Sequence, residues 1–263
     1  MKNKKAVFLD IDGTLINGNG GPFDDDIAAL EEASNAGHFL FINTGRSYAN
    51  IPERIMTVPF WDGICAGGGA HILRKENKKS GGAYKTIYHK WIDWESLTEI
   101  CSWYFDSKKQ LVLEGEINCY MINPADRNFS VRPAVIIQHR NDAPKIFGDD
   151  FVTKLTMNEQ MDKTEIRFLE KNLKVNVFPD YAEAILKNEN KGNAIRITLE
   201  SIRLKREDSI AIGDSVNDLD MIRYAGLGAA MGNSCRELMD EADVVTGNCG
   251  EGGVSQILRK YVM

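Results

Sequence analysis

The 263-residue sequence has no apolar stretch approaching the ~18 residues of a membrane-spanning helix, so no membrane association is expected. It also lacks a basic excess. Its 32 Lys and Arg stand against 38 Asp and Glu, a formal net charge of −6. Nucleic acid is therefore not an expected partner, and an anionic ligand must meet a local positive site. The opening MKNKKAVFLD is basic, but its apolar run is brief and Asp10 interrupts it, so no secretory signal is read and a cytoplasmic protein is expected. Cysteine is sparse: Cys65, Cys101, Cys119, Cys235 and Cys249 are odd in number and contain no CxxC pair, the pattern of free thiols in a reducing compartment. The four histidines, His38, His71, His89 and His139, form no HxxH or HxxxH pair, which argues against a zinc site of His and Cys. Repeats and low-complexity tracts are absent too.

What is present alternates in a regular way. AVFLD reads as a buried strand, and DDDIAALEEASNAG as a helix with an acidic start and Gly37 at its end. HFLFINTGR is a second strand ending at Thr44. A short helix is expected over 46–56, and DGICAGGGAHIL is a third strand running into a Gly-rich turn. Strand, helix, strand with short links is the pattern of a parallel sheet. The last part repeats it: helix GNAIRITLESIRL, strand DSIAIGD, helix SVNDLDMIRYAG, then LGAAMGN, CRELMDEA and ADVVTGN.

The middle differs. WESLTEICSWYF is an amphipathic helix, and QLVLEGEINCYMI a hairpin turning near Glu114-Gly115. FVTKLTMN, a helix over 159–172 and the strands LKVNVFPD and AEAILKN follow. The expected fold is α/β: a parallel-sheet core formed by residues 1–81 and 187–263, with an inserted α+β domain over 82–186. The polar stretches KSGGAYK and LKNENKG mark the boundaries.

In parallel α/β sheets ligands bind beyond the carboxyl ends of the strands. Three strands here end in polar residues: Asp10 with Asp12, Thr44, and Asp214. Two carboxylates ~4 Å apart repel by roughly 4 kcal/mol at an effective dielectric near 20. A divalent cation reverses the sign, and Asp10 with Asp214 offers the hard oxygen donors that Mg2+ takes. Because Ile11 separates them, Asp10 and Asp12 share a direction in extended chain while Ile11 turns into packing.

These residues resemble a known family. DIDGTL is similar to motif one of the haloacid dehalogenase (HAD) superfamily, NTGR to motif two, the KG of Lys191-Gly192 to motif three, and GDSVNDLDM to motif four, in the family's order. GGGAHI resembles the NGA-x-I of the Cof-type subfamily, with Gly68 where Asn is common. The insertion resembles that subfamily's type-two (C2) cap. The resemblance implies a Rossmann-like core with an inserted cap, and a Mg2+-dependent phosphatase that acts through an aspartyl-phosphate.

Under that resemblance Asp10 is the nucleophile. Asp12 donates a proton to the leaving alkoxide and then takes one from water. Thr44, the turn at Gly45 and Lys191 bind the phosphate oxygens, and Asn217 binds phosphate or a metal-bound water. Asp10, Asp214 and the main-chain carbonyl of Asp12 hold the metal, while Asp218 stands behind, orienting Lys191 or a metal-bound water. The implied substrate is a small phosphorylated metabolite, sugar phosphates first. The implied cap closes over the site, excludes water and selects the leaving group.

Several alternatives stay open. Lys187 competes with Lys191. Arg46 either touches substrate or is an exposed arginine, and Trp91, Trp94 and Trp103 either pack the cap or stack on substrate. A phosphomannomutase-like mutase would need cations for a second phosphate, with Arg127, Arg132 and Arg140 as candidates. A non-catalytic binding protein that keeps the fold is a further reading. The expected assembly is a monomer or a homodimer.

Overall fold

The computed structural model describes residues 4–76, 82–124, 134–142 and 146–263. They form two compact units. One comprises Met1–Gly45, Pro52–His89 and Asn190–Met263; the other comprises Arg46–Ile51 and Lys90–Glu189. Strands are numbered along the chain. The first unit holds β1 (Ala6–Leu9), β2 (Phe39–Asn43), β3 (Gly63–Ala66), β4 (His71–Lys75) and β5 (Tyr84–His89), and the second β6 (Leu111–Glu114), β7 (Cys119–Ile122), β8 (Ala134–Ile137), β9 (Lys154–Met157), β10 (Leu173–Val177) and β11 (Ala182–Leu186). The first unit is completed by β12 (Ser209–Gly213), β13 (Leu227–Ala230) and β14 (Val244–Val245).

The first unit is built on one sheet of order β14-β13-β12-β1-β2-β3-β4-β5. It is parallel from β14 to β3 and antiparallel at its last two pairings. Every residue of β1 is buried, as a strand covered on both faces requires. On one face Ala6, Phe8, Phe41 and Ala211 pack with Ala194, Ile195, Leu199, Met221 and Ile222. Helix α1 (Asp24–Asn35) packs against β2 and the last helix of the chain, Gly253–Tyr261. Asp26, a buried acid of α1, accepts the Ser255 N–H at 2.8 Å and so caps that helix, whose own cap residue is a glycine.

The second unit has a sheet of order β10-β11-β9-β6-β7-β8. Leu111, Leu113, Tyr120, Leu155 and Ala184 on one face pack against Leu97, Ile100 and Tyr104 of α3 (Trp94–Ser107). Asp93 starts α3 by accepting the Ser96 N–H at 2.9 Å. The opposite face carries Glu114, Lys154 and Glu183, all buried.

Several expectations need correction. Residues 84–89 were assigned to the insertion. They are β5, the edge strand of the first sheet, paired with β4, so the first unit extends to His89. Residues 46–51, expected in the core, cluster with the second unit. The helix expected over 46–56 is broken. Ile51 is extended ahead of Pro52, which forces a single-turn 3-10 helix (Tyr48–Asn50) and a separate α2 (Glu53–Met56). The helix expected over 159–172 spans only Lys163–Leu169 (α4), because Asp162 caps it by accepting the Thr164 and Glu165 N–H groups. Strand β8 was missed. Its run of four apolar residues follows a proline and pairs parallel to β7. The five cysteines are free, and only Cys235 is exposed. No helix among the described residues is long and apolar enough to cross a membrane.

Candidate active site

The register of the first sheet sets the site. Leu9 stands beside Ile212 on β12 and Ile42 on β2, all running the same way. The residues just beyond these ends, Asp10, Thr44 and Asp214, therefore emerge at one edge. The Asp10 N–H donates to the Ile212 carbonyl at 3.0 Å, which fixes the residue as the strand leaves the sheet. Thr44 is buried; its N–H donates to the Cys65 carbonyl at 2.9 Å, and its carbonyl accepts the Gly68 N–H at 3.0 Å. A methyl added at Gly45 would lie 3.7 Å from Asn217 Nδ2, so the turn after Thr44 borders Asn217.

Lys191 is the first residue of α5 (Lys191–Ile202), and only 2% of it is exposed. Asn190 caps this helix by accepting the Asn193 N–H at 2.7 Å. Lys191 Nζ donates to Asp10 Oδ1 and Asp218 Oδ1, each at 2.6 Å, and to Asn217 Oδ1 at 3.1 Å. Lys187 is exposed and donates to the Lys171 carbonyl, so Lys191 is the lysine that meets Asp10. Gly192 lets α5 approach its neighbour α6 (Leu219–Tyr224): a Cβ there would meet the Asp220 carbonyl at 2.5 Å.

Asp218 has no exposed surface. Its Oδ2 accepts the N–H groups of Asp214 and Ser215 at 2.9 and 3.0 Å, and its Oδ1 is taken by Lys191. Both oxygens are thus engaged in shaping the loop and holding the lysine. Asn217 Oδ1 accepts the Ser215 hydroxyl at 2.9 Å as well as Lys191. Asp12 is exposed, and its backbone bridges Ile16.

Acceptor oxygens of Asp10, Asp214 and Asp218 lie within 4.8 Å of one another. Three carboxylates face one ammonium, an excess of two negative charges. Burial pushes Asp10 up to about 8 against the pull of Lys191, with Asp218 and Asp214 adding to the rise. Burial and then Asp218 push Asp214 up to about 7. Burial works against the charge on Lys191, yet Asp10 and Asp218 hold it above the ordinary lysine range. Asp214 Oδ1 is buried with no hydrogen-bond partner. A buried, unsatisfied carboxylate oxygen in an over-negative pocket is the donor set a divalent cation fits. With both Asp218 oxygens engaged, the oxygens suited to a cation are those of Asp10 and Asp214.

Two contributors were missed in the sequence. Asn43, the last residue of β2, donates from Nδ2 to the Lys191 carbonyl at 3.0 Å and so fixes the start of α5. Asn233 donates to the Gly13 carbonyl at 2.9 Å and accepts the Cys249 N–H at 2.7 Å. Nothing in their local sequence marks either. Only the position of Asn43, one residue before Thr44 at a parallel strand end, was a signal.

Other candidates lie in the second unit. Arg46 donates to the Asn50 carbonyl at 3.1 Å. Trp91 and Trp94 are each 40% exposed and pack against Phe151 and Phe147, while Trp103 stacks on Phe168 at 5.1 Å. Arg140 is paired with Asp106. Arg127 and Arg132 lie outside the described residues.

The family model described as haloacid dehalogenase-like hydrolase matches residues 7–258. The 5-amino-6-(5-phospho-D-ribitylamino)uracil phosphatase YcsE of Bacillus subtilis (strain 168) is 26% identical over 260 residues, 98% of this chain and 96% of the relative. YitU of the same organism, a phosphatase of the same name, is 23% identical over 267 residues, 97% of this chain and 96% of the relative. Among solved structures, the HAD subclass IIB sugar phosphatase BT4131 superposes with a TM-score of 0.81 at 24% identity, covering 99% of this chain and 100% of that one.

Proposed function

Because the chain belongs to the haloacid dehalogenase-like hydrolases and is a phosphatase, we propose that it is a Mg2+-dependent enzyme hydrolysing small phosphorylated metabolites, sugar phosphates first, through an aspartyl-phosphate on Asp10. The observation that carries the reading is Lys191 Nζ held 2.6 Å from Asp10 Oδ1, beside a buried Asp214 oxygen that has no hydrogen-bond partner. The printed substrate of YcsE and YitU carries its phosphate on a ribityl chain, a polyol, which supports a phosphate monoester of a hydroxylated carbon chain as the substrate class.

In this reading Asp10 attacks phosphorus in line with the ester oxygen, and the P–O bond to the leaving group breaks. Asp12, exposed beside it in sequence, gives its proton to the departing alkoxide. Asp12 then takes a proton from water as that water attacks the aspartyl-phosphate, freeing inorganic phosphate and restoring Asp10. Thr44, the backbone at Gly45, Lys191 and Asn217 hold the phosphoryl oxygens. Asp218 keeps Lys191 charged and aimed. Asp10, Asp214 and the Asp12 carbonyl would hold Mg2+, which supplies positive charge to the phosphoryl oxygens and favours ionised Asp10. The second unit takes the part of the cap and selects the leaving group.

The test is turnover of p-nitrophenyl phosphate with and without Mg2+, in the wild type and Asp10→Asn. Activity confined to wild type with Mg2+ is expected; equal, negligible release in every arm would favour a binding protein. Release of inorganic phosphate without a bisphosphate activator separates the phosphatase from a mutase.

A further inference from the structure

Asn233, three residues beyond β13 in the first unit, is exposed, and the mechanism above does not use it. Both ends of its carboxamide are nevertheless engaged. Nδ2 donates to the Gly13 carbonyl at 2.9 Å, and Oδ1 accepts the N–H of buried Cys249 at 2.7 Å. The loop that carries it also holds the end of β12. The Met231 N–H donates to the Gly213 carbonyl at 2.9 Å, and the Cys235 N–H to the Asp214 carbonyl at 3.2 Å. Residues 231–235 therefore grip the chain at Asp214 through the main chain and the turn after Asp12 through one side chain. The loop is itself braced: the Gly232 N–H donates to the Gly247 carbonyl at 3.0 Å, and a Cβ on Gly232 would meet Asn248 Oδ1 at 2.5 Å.

Gly13 is where this grip bears on the site. A glycine has no side chain to restrict its own backbone, so its conformation must be held by partners. The Gly13 N–H donates to the Ile16 carbonyl at 2.7 Å, and its carbonyl is held by Asn233, so the peptide planes on both sides of its Cα are fixed. The plane on the N-terminal side is the one that carries the Asp12 carbonyl, because a peptide unit is planar. Gly13 also has no slack toward Asp214, since a Cβ there would lie 2.1 Å from Asp214 Oδ2. A small rotation at Gly13 shifts the Asp12 carbonyl and the Asp214 carboxylate relative to each other.

We propose that Asn233 is a positioning residue for Mg2+: by joining the Gly13 carbonyl to the loop that holds Asp214, it sets the spacing between the Asp12 carbonyl and the Asp214 carboxylate. The proposal rests on the reading of those two groups as metal ligands. A carboxamide suits the place because it donates at one end and accepts at the other. A carboxylate would set an oxygen against the Gly13 carbonyl, and an apolar side chain would leave both the carbonyl and the Cys249 N–H without this partner.

The experiment titrates Mg2+ calorimetrically into wild type, Asn233→Ala, Asn233→Leu and Thr246→Val, and follows the rise in melting temperature that Mg2+ gives each. Asn233→Ala is expected to weaken Mg2+ binding about tenfold. Asn233→Leu keeps the volume without either hydrogen-bonding group and should do the same; it carries the test if Asn233→Ala does not fold. With p-nitrophenyl phosphate, the Mg2+ concentration for half-activation should rise by a similar factor, while KM for the ester at saturating Mg2+ stays within about twofold of wild type. Thr246 braces the neighbouring loop by donating its hydroxyl to the Gly253 carbonyl at 2.7 Å, a bond that involves neither Asn233 nor Gly13. Thr246→Val should lower the melting temperature and leave Mg2+ affinity within about twofold. Wild-type Mg2+ affinity in a folded Asn233 variant would overturn the positioning role, as would an equal loss in Thr246→Val. A wild type that binds no Mg2+ would overturn the metal reading of the site as well, so the two failures are distinguishable.

Discussion

Gly13 and Asp214 occupy adjoining space with no room between them: a Cβ on Gly13 would lie 2.1 Å from Asp214 Oδ2. Gly13 also holds φ +81°, a conformation that glycine alone adopts cheaply. The residue after Asp12 thus has two independent reasons to lack a side chain, and one is the placing of an acid more than two hundred positions away. Gly13→Ala must push the Asp214 carboxylate aside and strain the turn, at a cost of about 1–3 kcal/mol in stability. It should weaken Mg2+ activation more than it weakens folding. Thermal melts and Mg2+ titrations of activity check this; an unchanged Mg2+ requirement would separate Gly13 from the site.

Asp12 is exposed, which suits the proton carrier proposed for it. Asp12→Asn is expected to slow alkyl phosphates more than p-nitrophenyl phosphate, by about tenfold or more, because the aryl leaving group needs less protonation. Steady-state kinetics on both esters gives the ratio. Equal losses would contradict the acid role.

Lys191 balances Asp10 and Asp218, all three buried. Replacing it by Met leaves those carboxylates uncompensated, which should cost about 3–5 kcal/mol of stability and about a hundredfold or more in kcat. Denaturant unfolding and single-substrate kinetics measure the two effects. Mg2+ should restore part of the lost stability and little of the rate, since the cation supplies charge but not the lysine's contact with the phosphoryl group.

His71 offers a stability test away from the site. Its Nε2 lies 3.1 Å from the Thr86 hydroxyl and its ring 4.6 Å from that of His89. Burial, with His89 beside it, pulls His71 down to about 3. The unfolded chain then binds this proton near pH 6.5 and the folded chain only near pH 3. Across that window the unfolded state holds more protons, so stability falls as pH falls. The raised Asp10 and Asp214 act the other way over the same window, so the His71 contribution is read as a difference: the melting temperature of the wild type relative to that of His71→Gln should fall between pH 7.5 and 5.5. A wild-type slope in the variant would assign the proton elsewhere.

The strand ends were legible because a parallel sheet puts successive carboxyl ends at one edge; Asp10, Thr44 and Asp214 follow directly from three apolar runs. Lys191 could not be separated from Lys187 by composition. Asn190, which caps α5, decides it by making Lys191 the first helical residue. Asn43 could be placed at a strand end beside Thr44, but its role could not be read, because its partner, the Lys191 carbonyl, is 148 positions away. Strand β5 was misassigned because its half-buried pattern suits an edge strand of either unit, and only its pairing with β4 tells them apart. The break at Pro52 was local chemistry and could have been read; the clustering of residues 46–51 with the second unit was not, since no local pattern marks it.

The most direct measurement is chemical trapping of the Asp10 intermediate. Enzyme turning over p-nitrophenyl phosphate with Mg2+ is quenched in acid and reduced with borohydride, which converts an aspartyl-phosphate to homoserine, and the peptide containing residues 6–16 is read by mass spectrometry. Homoserine at position 10, absent in Asp10→Asn and in enzyme without substrate, is the expected result. Sustained turnover with intact aspartate at position 10, or homoserine at another position, would contradict Asp10 as the nucleophile.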